Sequence, residues 1–476
     1  NINPKTKTKT KKVSMLKEPS FYFYLLACLL LPQFIAQQSF PESINATEFP
    51  DQNQAIYGGW IVSNESTGSV LFYNVYSRDG TDFNSSSNRN GNGNDNDNGT
   101  TPLMMIIEGG PASPGLLSAF AEIGPYQASL NFTTNQTYLI PNPNSWTQHY
   151  HLLILDQQIG AGFSIAGDNE TISSSNQAAD HLLTFLIRFY ALYPNARNFP
   201  LYINGRSYGG KFTLLLASKI RESEQLEFLD LGGVILTNAL VNPTIQGKRA
   251  DFLYFFGLIN QQERNYLRRQ ESKMDCFIQR GKYVSATKRY LAQDEYLARV
   301  TGGVFLSNVL LYNDPQLGFG LPLEYTEWAQ SYVYLADTNS SYRSIFSISS
   351  NLSFSFGSSE ATESLVRTGD HSRSVADVLE SLLSQEVDVL INTAQLDGVI
   401  TPVGISQYVD QLDWDGAEGF RDAEKSFLVE DGSVIGWYQK YRNLVYAFMN
   451  EAGHISTYDQ PANMLSLVSN FTSGQF

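Results

Sequence analysis

Residues 201–220 read Leu201-Tyr202-Ile203-Asn204-Gly205-Arg206-Ser207-Tyr208-Gly209-Gly210-Lys211-Phe212-Thr213-Leu214-Leu215-Leu216-Ala217-Ser218-Lys219-Ile220. Leu201–Asn204 is a short apolar run suited to a buried strand, and a helix starts over Lys211–Ile220. Between them, Gly205, Ser207 and Gly209 spell Gly-x-Ser-x-Gly. A strand that turns this sharply into a helix leaves no room for side chains at the flanking positions, hence the glycines. The turn lifts the serine hydroxyl above the sheet, near a helix N-terminus. The pattern is short, and the strand before and the helix after are what give it weight.

Moving outward, near-continuous apolar runs at Leu103–Ile107, Leu152–Leu155, Val234–Leu236 and Val387–Ile391 predict further buried strands. Residues 177–192 have helical periodicity, and residues 56–78 alternate as a β-hairpin would. Strands alternating with helices imply an α/β fold, with a mostly parallel central sheet and helices on both faces. Residues 84–101 are almost devoid of apolar side chains and cannot offset their ordering entropy, so a disordered surface loop is expected there. From 242 to 375 the rhythm turns more helical and more polar. That stretch reads as a helical cap inserted into a core formed by 37–241 and 376–476.

A serine nucleophile needs a base and an orienting acid. In α/β-hydrolases they follow in the order serine, acid, histidine. Asp397 comes soon after the run Val387–Ile391, and His454 soon after Leu444–Met449. Both are thereby expected past strand C-termini, on the sheet edge that carries Ser207. Singly, Asp397 before Gly398 reads as a turn aspartate and His454 as a loop histidine; in this order and topology they read together. The oxyanion would be held by two backbone N–H groups. Tyr208 supplies one; the turn Gly109-Gly110-Pro111 supplies the other, through Gly110.

The whole chain of 476 residues is 42% hydrophobic and 17% charged, with a formal net charge of -15. This composition rules out a largely disordered chain. Residues 1–36 hold six lysines and one acid, so the remainder is more acidic still and should repel phosphate backbones; nucleic acid is not an expected partner. The only cysteines are Cys28 and Cys276, which excludes a disulfide framework in the mature chain and a cysteine-rich zinc site. His149 and His151, the one close histidine pair, fit two ordinary strand residues, and neither metal nor cofactor is expected. From Met15, read as the start, Lys17 precedes the apolar run Phe21–Leu31 and small residues to Ala36. That describes a secretory signal peptide, too short and too broken by Pro32 to favour a membrane span. An uncleaved anchor is the alternative, and Phe34 fits poorly if cleavage follows Ala36. Ten glycosylation sequons, at Asn45, Asn64, Asn84, Asn98, Asn131, Asn135, Asn169, Asn339, Asn351 and Asn470, also point to the secretory pathway.

With these residues on the page, the chain resembles the serine carboxypeptidase family, closest in pattern to its retinoid-inducible and vitellogenic-like members. The stretches that carry the resemblance are Glu108-Gly-Gly-Pro111, Ala121-Glu-Ile-Gly-Pro125, Asn144-Ser-Trp146, Asp156 to Ser164, Gly205 to Gly210, Gln395-Leu-Asp397, Ala452-Gly-His454 and Asp459-Gln-Pro461. The resemblance implies an α/β-hydrolase fold with a cap. It implies a triad of Ser207, Asp397 and His454, with Gly110 and Tyr208 at the oxyanion. The implied activity is release of C-terminal residues from peptides in acid, outside the cell or in a lysosome-like compartment, and some relatives are homodimers. Acyl transfer or ester hydrolysis on the same triad, and a catalytically silent binding glycoprotein, are the alternatives.

The substrate carboxylate would be held at Glu108, Gly109, Glu122 and Arg206, and the chain departs from the family at two of these, Glu108 and Arg206. The family has Asn or Gln where Glu108 stands and Glu where Arg206 stands; the acid at Glu122 is kept. Two adjoining carboxyls can share a proton, which favours carboxylate binding in acid. Here a cation stands among two acids. Arg206 could pair with Glu108 and neutralise the site, could grip a carboxylate bidentately, or could point to solvent. Ala112-Ser113-Pro114 also replaces the family's Gly-Cys-Ser, and Pro114 lacks an N–H.

Overall fold

The computed structural model describes residues 44–45, 56–84, 101–131, 134, 136–314, 321–338, 340–346, 348–356 and 359–476. The leader read over 1–36, residues 85–100 of the low-complexity stretch, and the sequons at Asn98, Asn135 and Asn339 lie outside the described residues.

The strands are β1 (Ile44–Asn45), β2 (Ile56–Asn64), β3 (Ser69–Tyr76), β4 (Leu103–Ile107), β5 (Tyr126–Asn131), β6 (Gln136–Pro141), β7 (His151–Leu155), β8 (Leu201–Arg206), β9 (Leu231–Thr237), β10 (Val389–Ala394), β11 (Lys425–Glu430), β12 (Ser433–Tyr441) and β13 (Leu444–Met449). Eleven of them make one sheet, in the order β1-β2-β3-β7-β4-β8-β9-β10-β13-β12-β11, while β5 and β6 pair apart from it. The centre of the sheet, from β7 to β13, is parallel throughout. The flanks, β1 to β3 on one side and β11 and β12 on the other, are antiparallel.

Strand β4 shows what two covered faces demand of a sequence. All five of its residues are buried. Leu103, Met105 and Ile107 join one hydrophobic cluster, and Met104 and Ile106 join the cluster on the opposite face. The first cluster is closed by α2 (Ser175–Leu192) and α3 (Gly209–Glu222), through Phe185, Phe189, Phe212 and Leu216. The second is closed in part by α1 (Leu116–Ala121), through Leu116 and Phe120. Each such side chain, fully buried, contributes about 1.5–3 kcal/mol.

Between the neighbouring strands β9 and β10 come α4 (Pro243–Gln246), α5 (Ala250–Phe255), α6 (Gln261–Gln279), α7 (Tyr283–Val300), α8 (Leu323–Thr338), α9 (Ser340–Ile345), α10 (Ser359–Thr368) and α11 (Ala376–Ser384). Asn260 and Glu263 form a reciprocal capping box that starts α6. After β10 come α12 (Pro402–Val409), α13 (Ala417–Asp422), α14 (Ser456–Asp459) and α15 (Pro461–Thr472). No helix among the described residues is long and apolar enough to cross a membrane.

Two local expectations change. His149 is not on a strand: it ends the turn Trp146–Gln148, and only His151 enters β7. Strand β8 runs through Arg206 rather than stopping at Asn204, because Gly205 and Arg206 still pair with Leu236 and Thr237 of β9.

Candidate active site

Strand β8 delivers its last residue, Arg206, beside Thr237, and the chain then reverses at Ser207 with φ 55. An L-residue takes this left-handed conformation only under constraint. Here both backbone groups of the serine are tied: its N–H donates to Thr237 O at 3.1 Å, and its carbonyl accepts from Leu240 N at 2.8 Å and Gly210 N at 3.1 Å. Helix α3 starts two residues on, and a β-carbon on Gly209 would meet Ile107 O at 2.4 Å. Glycine there lets the helix N-terminus press against the end of β4. The turn after β4 lies as close: a β-carbon on Gly109 would meet Ser207 Cβ at 2.6 Å. Among the described residues, the N–H groups of Tyr208 and Gly110 donate to no backbone carbonyl.

Asp397 and His454 meet past the C-terminal ends of the paired strands β10 and β13. His454 Nδ1 lies 2.7 Å from Asp397 Oδ2. The carboxylate is fully buried, and its other oxygen accepts from Val399 N at 2.8 Å and Ile400 N at 2.9 Å. Oδ1 is thus pinned by the loop and Oδ2 faces the ring, which assigns the ring proton to Nδ1 and leaves Nε2 as the acceptor. The backbone of His454 is held as well, its N–H by Ser307 O at 2.6 Å. Gly453 N donates to Asp459 Oδ2 at 2.6 Å, and Tyr325 OH donates to Asp459 Oδ1 at 2.5 Å. Ser207 Oγ makes no hydrogen bond among the described residues, to His454 or to any other group, and the side chain is half-buried. A nucleophile–base hydrogen bond commonly closes only around substrate.

Arg206 is buried and pairs with both acids. Its Nη2 and Nε donate to Glu108 Oε2 at 2.7 and 3.1 Å, and its Nη1 donates to Glu122 Oε2 at 2.5 Å. The solvent-facing alternative for Arg206 is therefore overturned, and so is a guanidinium unengaged by its neighbours. The hydroxyl of Ser118 donates to Glu108 Oε1 and that of Thr457 to Glu122 Oε2, while Glu122 Oε1 is buried with no partner. Burial pushes the Glu122 carboxyl above its ordinary range; Arg206 pulls against this, and Glu108 adds to it. Burial works to lower the Arg206 pKa, but the two carboxylates outweigh it and raise it. The cluster holds one cation for two acids, so it is neutral only when one carboxyl keeps its proton.

A second Ser–His–carboxylate line exists elsewhere. Ser63 Oγ is 3.0 Å from His181 Nδ1, and His181 Nε2 is 3.2 Å from Glu170 Oε1. Ser63 is 2% exposed within β2 and its Oγ donates to Ser69 O, so no substrate carbonyl can approach it. Accessibility separates this line from the one at Ser207.

Several side chains around Ser207 carry no sequence signal of their own. Asp370, from the segment between β9 and β10, accepts from Tyr208 OH at 2.5 Å, from Lys211 Nζ at 3.4 Å and from Ser175 N at 3.0 Å. Lys211 Nζ also reaches the Asp370 carbonyl at 2.5 Å. Burial would raise Asp370, but Lys211 and the hydroxyls of Ser175 and Tyr208 outweigh it and hold the carboxyl down. Burial, with Lys211 and Arg249 nearby, pushes His371 down to about 3. Among the described residues, no three His, Cys, Asp or Glu side chains group as a metal site.

Known proteins share the fold and the family of this chain. A plant relative, serine carboxypeptidase-like 50 of Arabidopsis thaliana, is 26% identical over 97% of this chain and 96% of its own length. The vitellogenic carboxypeptidase of Aedes aegypti is 25% identical over 78% of this chain and 77% of its own. Among solved structures, Kex1Δp, a prohormone-processing carboxypeptidase from Saccharomyces cerevisiae, superposes with a TM-score of 0.76 at 18% identity, over 91% of this chain and 94% of that one, which establishes the shared fold. The family model described as serine carboxypeptidase matches residues 46–474. Spanning nearly all of the described residues, that match makes the chain a member of the serine carboxypeptidase family, serine hydrolases built on the α/β-hydrolase fold.

Proposed function

We propose that the chain is a serine-type carboxypeptidase that releases C-terminal residues from peptides through an acyl-enzyme. Ser207 Oγ attacks the scissile carbonyl. His454 Nε2 takes its proton and returns it to the leaving amine, and Asp397 fixes the tautomer and steadies the imidazolium. The N–H groups of Gly110 and Tyr208 meet the oxyanion, and water then releases the acyl group. Glu108, Gly109, Glu122 and Arg206 border the leaving residue and recognise its terminal carboxylate, the residues of 242–375 cap the site, and neither metal nor cofactor takes part. The reading extends to a glycosylated protein of the secretory pathway, extracellular or lysosome-like, with peptide substrates and room for a homodimer.

The observation that supports this best is the 2.7 Å pairing of His454 with a buried Asp397 past the ends of β10 and β13, on the same edge of the parallel sheet as Ser207 at the end of β8. A fluorophosphonate probe and a set of N-blocked peptides test it. Wild-type protein should label at Ser207 and shorten peptides one residue at a time from the C-terminus, as read by mass spectrometry. Ser207→Ala should abolish both, and Ser63→Ala neither. Labelling that survives Ser207→Ala overturns the assignment.

One observation favours a second reading. Arg206 is spent on its own carboxylates, so a free C-terminus must compete with Glu108 and Glu122 for it. Acyl transfer or ester hydrolysis on the same three residues makes no such demand. Diversion of the acyl group to an added alcohol or amine, with equal rates on free and amidated peptides, would select it.

A further inference from the structure

We infer that Asn238 is a positioning residue that sets the imidazole of His454 against Ser207, by tying the backbone of all three loops of the site together. The inference rests on the assignment of Ser207, Asp397 and His454 proposed above.

Asn238 follows the last residue of β9 and is fully buried. Its φ is 47, a left-handed conformation that asparagine tolerates better than most residues. That backbone turn aims the carboxamide across the sheet edge. Nδ2 donates to Gly453 O at 3.2 Å, to His454 O at 2.9 Å and to Ser456 Oγ at 2.8 Å. The amide orientation follows from these partners, because a flipped amide would set Oδ1 against two carbonyl oxygens. Its backbone N–H donates to Asn392 O, within the strand that leads to Asp397, at 3.0 Å. Its neighbours hold the nucleophile: Thr237 O accepts from Ser207 N, and Leu240 N donates to Ser207 O.

One residue thus links the strand before the acid, the loop of the base and the turn of the nucleophile. His454 has its ring nitrogen on Asp397 and its N–H on Ser307, but Asn238 holds its carbonyl. Asn308, beside that Ser307, reaches the loop through Asp459, whose Oδ2 accepts from its Nδ2 at 3.2 Å. The Asn238 bonds are therefore the direct tie from the His454 backbone to the end of a central parallel strand. Without them the loop stays held at Ala452, whose carbonyl accepts from Leu396 N at 2.8 Å, and at the His454 N–H by Ser307, but the His454 carbonyl is released and the ring can drift while Asp397 stays paired.

Two substitutions separate positioning from stability. Asn238→Gly keeps the left-handed backbone and removes the donor. Asn238→Asp keeps the shape and sets an acceptor against two carbonyls. Expected is a fall in kcat of up to about 100-fold per folded molecule, with KM within about twofold and fluorophosphonate labelling of Ser207 slowed in step with kcat. A structural role alone would lower the unfolding midpoint while leaving kcat and labelling of the folded fraction unchanged, and that result overturns the inference. Asn238→Asp serves if the glycine variant does not fold; if neither folds, Ser456→Ala removes one acceptor and should slow labelling by a smaller factor, an unchanged rate again counting against the inference. Wild-type protein that neither labels nor cleaves defeats the triad assignment, and the role of Asn238 with it. Wild-type activity matched by the folded variants defeats the role of Asn238 alone.

Discussion

Arg206 brings one positive charge to two carboxyl groups, and all three side chains are nine-tenths or more buried. Ion pairs of this kind contribute little relative to apolar packing, but removing one partner strands the others in a medium that cannot solvate them. Arg206→Met should therefore cost about 3–5 kcal/mol of stability at neutral pH. The sign of the pH dependence follows from the acids. Burial already raises the Glu122 carboxyl, and without the opposing guanidinium it would sit further above its unfolded pKa, so the variant regains stability as pH falls and this carboxyl takes up a proton. Urea unfolding of wild type and variant at pH 7 and pH 4.5 measures this. A deficit equal at both values would mean that packing, not charge, holds Arg206 in place.

A single carboxylate also does the work of joining elements. Glu170 accepts from Thr67 Oγ1 at 2.6 Å, Ser69 Oγ at 2.7 Å and Asn64 Nδ2 at 2.8 Å, and it faces His181 and Gln177 of α2. It thereby ties β2 and β3 to α2. Burial acts to raise its pKa, yet the hydrogen bonds and His181 hold it at about 2. A depressed acid contributes stability above its unfolded pKa and loses it as pH falls towards the folded value. Glu170→Ala should therefore cost about 2–4 kcal/mol at pH 7 and visibly less at pH 3, with Ser207 labelling per folded molecule unchanged. A gap that stays constant between those pH values would reject the clamp. These elements also show what a sequence can and cannot reveal. Strand β4 was legible to the residue because both its faces are apolar. Strand β8 was read two residues short because Gly205 ends the apolar run while the ladder to β9 continues. Ser207, Asp397 and His454 stand out as candidates in the sequence because each follows a strand end, in the order serine, acid, histidine. The bonds of Glu170 could not, since hydroxyls and amides that meet across a turn follow no spacing rule.

At the scale of the whole molecule, the segment between β9 and β10 is bolted by charge to α3, the helix that follows Ser207. Lys211, in the first turn of α3, and Asp370 are 159 positions apart in sequence, which is why neither drew notice as a pair. Both are buried, and Asp370 also receives Tyr208 OH, whose own N–H is proposed to meet the oxyanion. The anchor therefore bears on two things at once: how firmly residues 243–375 sit on the core, and how still Tyr208 is held. Burial draws Lys211 down to about 8, against the pull of Asp370. Asp370→Ala should leave an uncompensated ammonium, and Lys211→Met an uncompensated carboxylate, each destabilising more than the two together. A double-mutant cycle on the unfolding free energy should return a coupling of about 0.5–3 kcal/mol. Limited proteolysis gives the spatial half of the test: in Asp370→Ala the first cuts should fall within 243–375, while the α2 and α3 side of the core persists. Additive single effects, or first cuts in the core, would show that the segment is held by its apolar contacts and that the charge pair is incidental to it.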